Sequence, residues 1–150
     1  MFESSSFGFW HRWLVVVCAM SAVFGFVMAI GSSSVLFESY LEHVDKAFWE
    51  GGSPPGVRTF YTWIFAVLGS SIGGWGIALT YIAVGPFGRR ERWAHRAMLV
   101  SITAWVIVDS SVSWYFGVYQ EVLFNSGMVF AAGLPLIATW RHFKAPASAD

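Results

Sequence analysis

The chain has 150 residues, of which 56% are hydrophobic and 12% charged, and its nine basic and nine acidic residues give a formal net charge of zero. Soluble domains are about half apolar and about a quarter charged, so this balance excludes an ordinary soluble domain, and nothing basic in it points to nucleic acid. A single cysteine, Cys18, implies no disulfide framework.

Four apolar segments hold the surplus, at residues 13–30, 60–84, 97–119 and 122–140. Each is near the roughly 20 residues that cross a hydrocarbon core of ~30 Å at ~1.5 Å per residue. No water satisfies backbone groups there, so the segments are expected to be helices. Together they form one membrane domain over residues 1–150.

The first segment follows His11 and Arg12 and ends near Ala29-Ile30-Gly31, a small-residue pattern that a signal peptidase could cut. Signal cores span about 7–15 residues, and this run is longer, so an uncleaved helix is expected. Cleavage would leave three helices in the same orientation. Cys18 lies inside this helix and reads as packing.

Between the first two spans, Phe37, Tyr40, Leu41, Val44 and Phe48 recur at three- and four-residue spacing, with Glu38, Glu42, Asp45 and Lys46 opposite. That pattern predicts a short amphipathic helix over 35–50. Glu42 and Lys46 form an i to i+4 pair in the favourable order, and GGSPPG at 51–56 stops the helix. Such a helix lies at a headgroup boundary, in contact with membrane lipid. The alternative is a lid over a cavity between the spans.

The second span carries LGSSIGGWG at 68–76. Gly69 and Gly73 are four apart, as are Ser70 and Gly74, so another helix can approach closely. Ser70 and Ser71 are also candidates to line a polar pocket. The glycines are not a phosphate loop, because no Gly-Lys-Ser or Gly-Lys-Thr follows them.

Along the third span, Ser101, Trp105, Asp109, Ser113 and Gly117 fall on one stripe at four-residue steps. A polar stripe of this kind should face protein. If the helix ends near Tyr119, Asp109 lies roughly 14 Å below its end. Ser70, Ser71 and Ser21 reach similar depth, and Asn125 of the fourth span lies somewhat nearer the surface. Placing Asp109 there costs about 2.5–3.5 kcal/mol on insertion scales, and no Lys or Arg in the spans can pair with it. The carboxyl is therefore expected to be protonated or hydrogen-bonded to Ser70, Ser71, Ser113 or Asn125.

The remaining charges set an orientation. Arg12, Arg89, Arg90, Arg92, Arg96, Arg141 and Lys144 collect on one side, and only Lys46 and Arg58 on the other, with Glu38, Glu42, Asp45, Glu50 and Glu121. Basic residues concentrate in cytoplasmic loops. The expectation is therefore an all-α integral membrane protein, a four-helix antiparallel bundle with an amphipathic outer-loop helix and both termini cytoplasmic. Trp10, Trp13, Trp93 and Trp140 mark the inner edge, and Trp49, Tyr61, Trp63, Tyr115 and Tyr119 the outer one.

The region from Gly73 to Asn125, about a third of the chain, resembles uncharacterised small four-helix inner-membrane proteins of bacteria. The likeness rests on Gly74-Trp75, Arg92-Trp93, Trp105 with Asp109 and Ser113, and Asn125. It implies a bacterial inner-membrane location and brings no activity.

His11, His95 and His142 lie at span ends and His43 in a loop, so no pair has metal or haem spacing, and no serine has a histidine partner within a span. No catalytic residue, metal or cofactor is expected. The leading expectation is a non-enzymatic protein that binds a lipophilic ligand or supports a membrane assembly, as a homo-oligomer or in a larger complex. Its site would gather Asp109, Ser113, Trp105, Ser70, Ser71 and Asn125. Two alternatives stand beside it: a proton-coupled transporter or channel using Asp109, and an enzyme acting on a lipid or isoprenoid with Asp109 as acid.

Overall fold

The computed structural model describes residues 2–143, with side chains from Ser6 onward, so Lys144 lies outside the described residues. Five α-helices follow in order: α1 (Phe2–Gly31), α2 (Val35–Phe48), α3 (Val57–Ile82), α4 (Arg92–Tyr115) and α5 (Tyr119–Thr139). There is no strand among the described residues. Four stretches are long and apolar enough to cross a membrane, Ser6–Gly31, Val57–Phe87, Arg92–Tyr115 and Tyr119–Phe143.

The small residues of α3 are what let α1 lie against it. A Cβ on Gly69 would sit 2.5 Å from Ala29 N and Gly25 O, and one on Gly76 would sit 2.5 Å from Ala22 N. No side chain fits at either position, so the two backbones are in direct contact, as small-residue faces permit. Gly74 points into open space, which leaves the Ser70–Gly74 line outside this contact.

Two prolines break helical ladders, and the chain answers the first with a local π turn and the second with a donor from a neighbouring helix. Pro86 has no N–H to offer, and the chain widens into a π-helical turn at Ala83–Phe87. His11 Nε2 of α1 donates to Ala83 O there, at 2.9 Å. Pro135 leaves Ala131 O without its i+4 donor, and Trp13 Nε1 takes that place at 2.8 Å. The chain then tightens into a 3-10 turn at Trp140–Phe143, where His95 Nε2 of α4 donates to Leu136 O at 2.9 Å. Orphaned carbonyls in a dry interior cost about 1–3 kcal/mol each, so these side chains tie α1, α3, α4 and α5 together at one end.

That end also holds the main apolar core, with Phe7, Leu14, Leu79, Phe87, Met98, Leu136 and Phe143 drawn from all four long helices. Arg90 sits over the Phe7 ring, 4.6 Å from its centroid. Nearby, Glu91 accepts from Arg89 Nε at 2.7 Å and Trp93 Nε1 at 2.6 Å, and these bonds hold its carboxyl below the usual range.

A second core at the other end is built differently. It comprises Met28, Leu41, Tyr61 and Phe65, with Phe37, Tyr40 and Val44 packed on it, so it joins only α1, α2 and α3. The amphipathic pattern of α2 explains its place. Its apolar side covers this core, while Asp45 on its polar side accepts from Tyr61 Oη at 2.9 Å and Arg58 Nη2 at 3.1 Å. Trp49 Nε1 completes the corner by donating to Tyr61 Oη at 2.9 Å.

Helices α4 and α5 leave the shared core at this end. The buried residues of α4 are Ala94, His95, Met98 and Ile102, all in its first half. From Trp105 onward α4 buries no residue fully. Aromatic pairs bridge the gap, Phe24 with Phe124 at 5.4 Å and Phe48 with Phe116 at 5.5 Å between ring centroids.

Candidate functional site

The polar residues of α4 and α5 meet because of how the two helices are joined. Gly117 has φ of +77°, a left-handed conformation that other residues rarely adopt. Around it Gly117 N donates to Trp114 O at 3.1 Å and Val118 N to Ser113 O at 2.9 Å, which satisfies the last carbonyls of α4. Helix α4 therefore ends at Tyr115, earlier than the apolar run to 119 suggests, and α5 starts at once from Tyr119. Asp109 lies as far before this turn as Asn125 lies after it, each about 9 Å along its helix. The two are at one level, and Asp109 is shallower than a helix running to Tyr119 would put it.

Asn125 is fully buried, with 0% exposure. Its Nδ2 donates to Asp109 Oδ2 at 2.5 Å and contacts Ser110 Oγ at 3.1 Å. Its Oδ1 is buried and has no partner. Turning the amide over would exchange its two ends, and the end facing away from Asp109 and Ser110 would still be unpaired. A buried amide satisfied at one end only is costly.

Glu121 stands one helical turn before Asn125 on the same side of α5, with the Tyr40 hydroxyl of α2 beside its carboxyl. Burial, then the nearby carboxyl of Glu121 and the more distant one of Asp109, hold the Tyr40 hydroxyl proton well above the ordinary tyrosine range. The layer thus runs from α2 through Glu121 to Asn125, Asp109 and Ser110. Among the described residues the basic–acidic pairs are Arg58 with Glu38 and Asp45, and Arg89 with Glu91, so neither Asp109 nor Glu121 has a basic partner.

Other expected site residues are placed as follows. Trp105 packs against Trp75 of α3, with ring centroids 5.9 Å apart, one turn before Asp109. Ser113 is half-buried, and its carbonyl serves the turn at Gly117. Ser70 and Ser71 do not join Asp109. They sit on the exposed side of α3 and return their hydroxyls to Ala66 O at 2.8 Å and Val67 O at 3.0 Å. Ser21 likewise bonds Val17 O at 2.9 Å. A hydroxyl that closes on its own helix needs no partner from another.

No family model, curated protein or solved structure matches the chain. The chemistry of the site therefore has to be read from its own groups. Sequence reasoning left Ser110, Glu121 and Tyr40 out of the site, with Glu121 read as an acid of the outer side that would have to bend inward to join Asp109. Ser110 adjoins Asp109, and Glu121 shares a face with Asn125 at four-residue spacing, so both left a trace. Tyr40 did not, because its ring reads simply as part of the apolar side of α2. No group of three or more His, Cys, Asp or Glu with metal-holding geometry occurs among the described residues. What the layer offers is hydrogen-bond acceptors in an apolar setting: two carboxylates and one amide end.

Proposed function

We propose that the chain is a non-enzymatic integral membrane protein that binds a lipophilic ligand through the polar layer around Asp109. The observation that carries this reading is Asn125, a fully buried amide held to Asp109 and Ser110 at one end and unpaired at the other. A residue whose task was only to join α4 to α5 would gain nothing from an unpaired end, whereas a ligand group at that end would satisfy it. Access is from the side of α4. Its second half buries no residue fully, and Asp109, Ser110 and Ser113 there are half-buried. Two open grooves elsewhere, one lined by Gln120, Leu123, Phe124, Gly127 and Met128 and the other by Val23, Phe26, Val27, Ile30 and Gly31, do not include Asp109 or Asn125.

In this reading the four spans form an antiparallel bundle in a bacterial cytoplasmic membrane, with both termini inside. Support comes from Arg12, Arg89, Arg90, Arg92, Arg96 and Arg141, which share one side of the sequence-derived topology. Helix α2 then lies on the outer side and covers the Tyr40–Glu121 end of the layer. The resemblance to small four-helix inner-membrane proteins of bacteria agrees with that location. Photolabelling tests the site. A lipophilic aryl diazirine should mark Tyr40, Trp105 and Glu121 well above the lipid-facing residues Ile107 and Val108, with the excess removed in Asn125→Leu. Equal labelling of all exposed apolar positions, unchanged in the variant, would show lipid contact and no site.

A further inference from the structure

We infer that the ligand class is a lipophilic cation with N–H donors, a protonated amine bearing an apolar tail. The inference rests on the proposed binding site and names what it takes. Three independent features point the same way. The first is charge: Asp109 and Glu121 face one layer, and no basic side chain among the described residues pairs with either. Arg58, a base from the α2–α3 corner, is already held by Glu38 and Asp45. Two carboxylates in an apolar setting are neutralised by protons or by a cation that arrives from outside.

The second feature is the balance of donors and acceptors. The Tyr40 hydroxyl lies beside Glu121, and Asn125 Nδ2 is used on Asp109, at 2.5 Å, with Ser110 Oγ beside it at 3.1 Å. Left over are mainly acceptors, the carboxylate oxygens and Asn125 Oδ1, with the Ser110 O–H as a donor among them. A proton on Asp109 Oδ1 could serve the Asn125 amide, but it would leave Glu121 without a counter-charge. An ammonium carries charge and several N–H groups at once, so it can bond Asp109 and Asn125 Oδ1 together with the amide left as it stands.

The third feature is the wall. Tyr40 closes one side of the layer, and the Trp105 ring lies one turn from Asp109. Aromatic faces attract cations, and most strongly where water is excluded.

Thermal unfolding in phosphatidylcholine nanodiscs tests the class, with phenylbutylammonium as probe and phenylbutanol as its uncharged match. The amine should raise the melting temperature saturably and the alcohol should not. Asp109→Asn should abolish the amine effect. Glu121→Gln, which leaves the Asn125–Asp109 bond untouched, should weaken amine binding about tenfold and guards against misfolding of the first variant. Equal saturable shifts with both probes, lost in Asn125→Leu, would overturn the cationic class and leave the ligand-binding reading standing. Shifts that persist in every variant would reflect partition into lipid and would overturn both.

Discussion

Replacing Asn125 with leucine separates a bond kept for strength from one kept for binding. Leucine matches asparagine in shape, so the change removes polar atoms and opens little space. Two hydrogen bonds go, to Asp109 and to Ser110. Interhelical polar bonds in a membrane average about 0.6 kcal/mol and reach about 1.7, so the loss is about 1–2 kcal/mol. The same change deletes a buried acceptor with no partner, which returns about 1–3 kcal/mol. The two effects nearly cancel. Reversible unfolding in mixed micelles on titration with dodecyl sulfate should therefore place Asn125→Leu within about 1 kcal/mol of the parent. A double-mutant cycle with Asp109→Ala should give a coupling no larger than about 1.7 kcal/mol. A loss above roughly 3.5 kcal/mol on Asn125→Leu would refute the reasoning, because it exceeds what two such bonds supply and would mean that the amide is fully satisfied in the folded protein.

Three further outcomes follow from the packing. Gly69→Val should cost at least about 1–3 kcal/mol in the same unfolding assay, because its Cβ would meet Ala29 N and Gly25 O at 2.5 Å, while Gly74→Val, with nothing within 4 Å, should be nearly neutral. Trp13→Phe should lose about 1–3 kcal/mol, since it leaves Ala131 O without the donor that replaces the missing N–H of Pro135. The last effect is one of pH. The Tyr40 hydroxyl has its folded pKa raised, so its contribution is complete below the unfolded tyrosine value of about 10 and falls away as pH rises above that. Ultraviolet titration should show a tyrosine step above the ordinary range, and Tyr40→Phe should remove it.

The parts of the fold set by local pattern were legible in the sequence. Apolar run length marked the four long helices, and three- and four-residue spacing marked α2 and the small face of α3. Periodicity reports which residues share a face, however, and says nothing of which helix that face meets. Gly69 and Gly73 were readable as a contact surface, yet Gly25 and Ala29 of α1 as its partners were not. Ser70 and Ser71 shared an expected depth with Asp109, and the rotation of α3 needed for its backbone contact with α1 turned them away. One backbone angle also mattered: the left-handed Gly117 shortens α4 and brings Asp109 level with Asn125. The hydrogen bonds of Trp13, His11 and His95 join residues far apart in the chain, where local pattern carries no signal.

The most direct test of the binding site is the intact mass of the protein released gently from its own membrane into the gas phase, parent beside Asn125→Leu and Asp109→Asn. A site in the polar layer predicts a discrete non-covalent adduct on the parent, a small molecule of one mass, that both variants lose while keeping the same set of bound phospholipids. A parent carrying only the phospholipids that the two variants also carry would contradict it, and Asp109 and Asn125 would then serve only to hold α4 against α5.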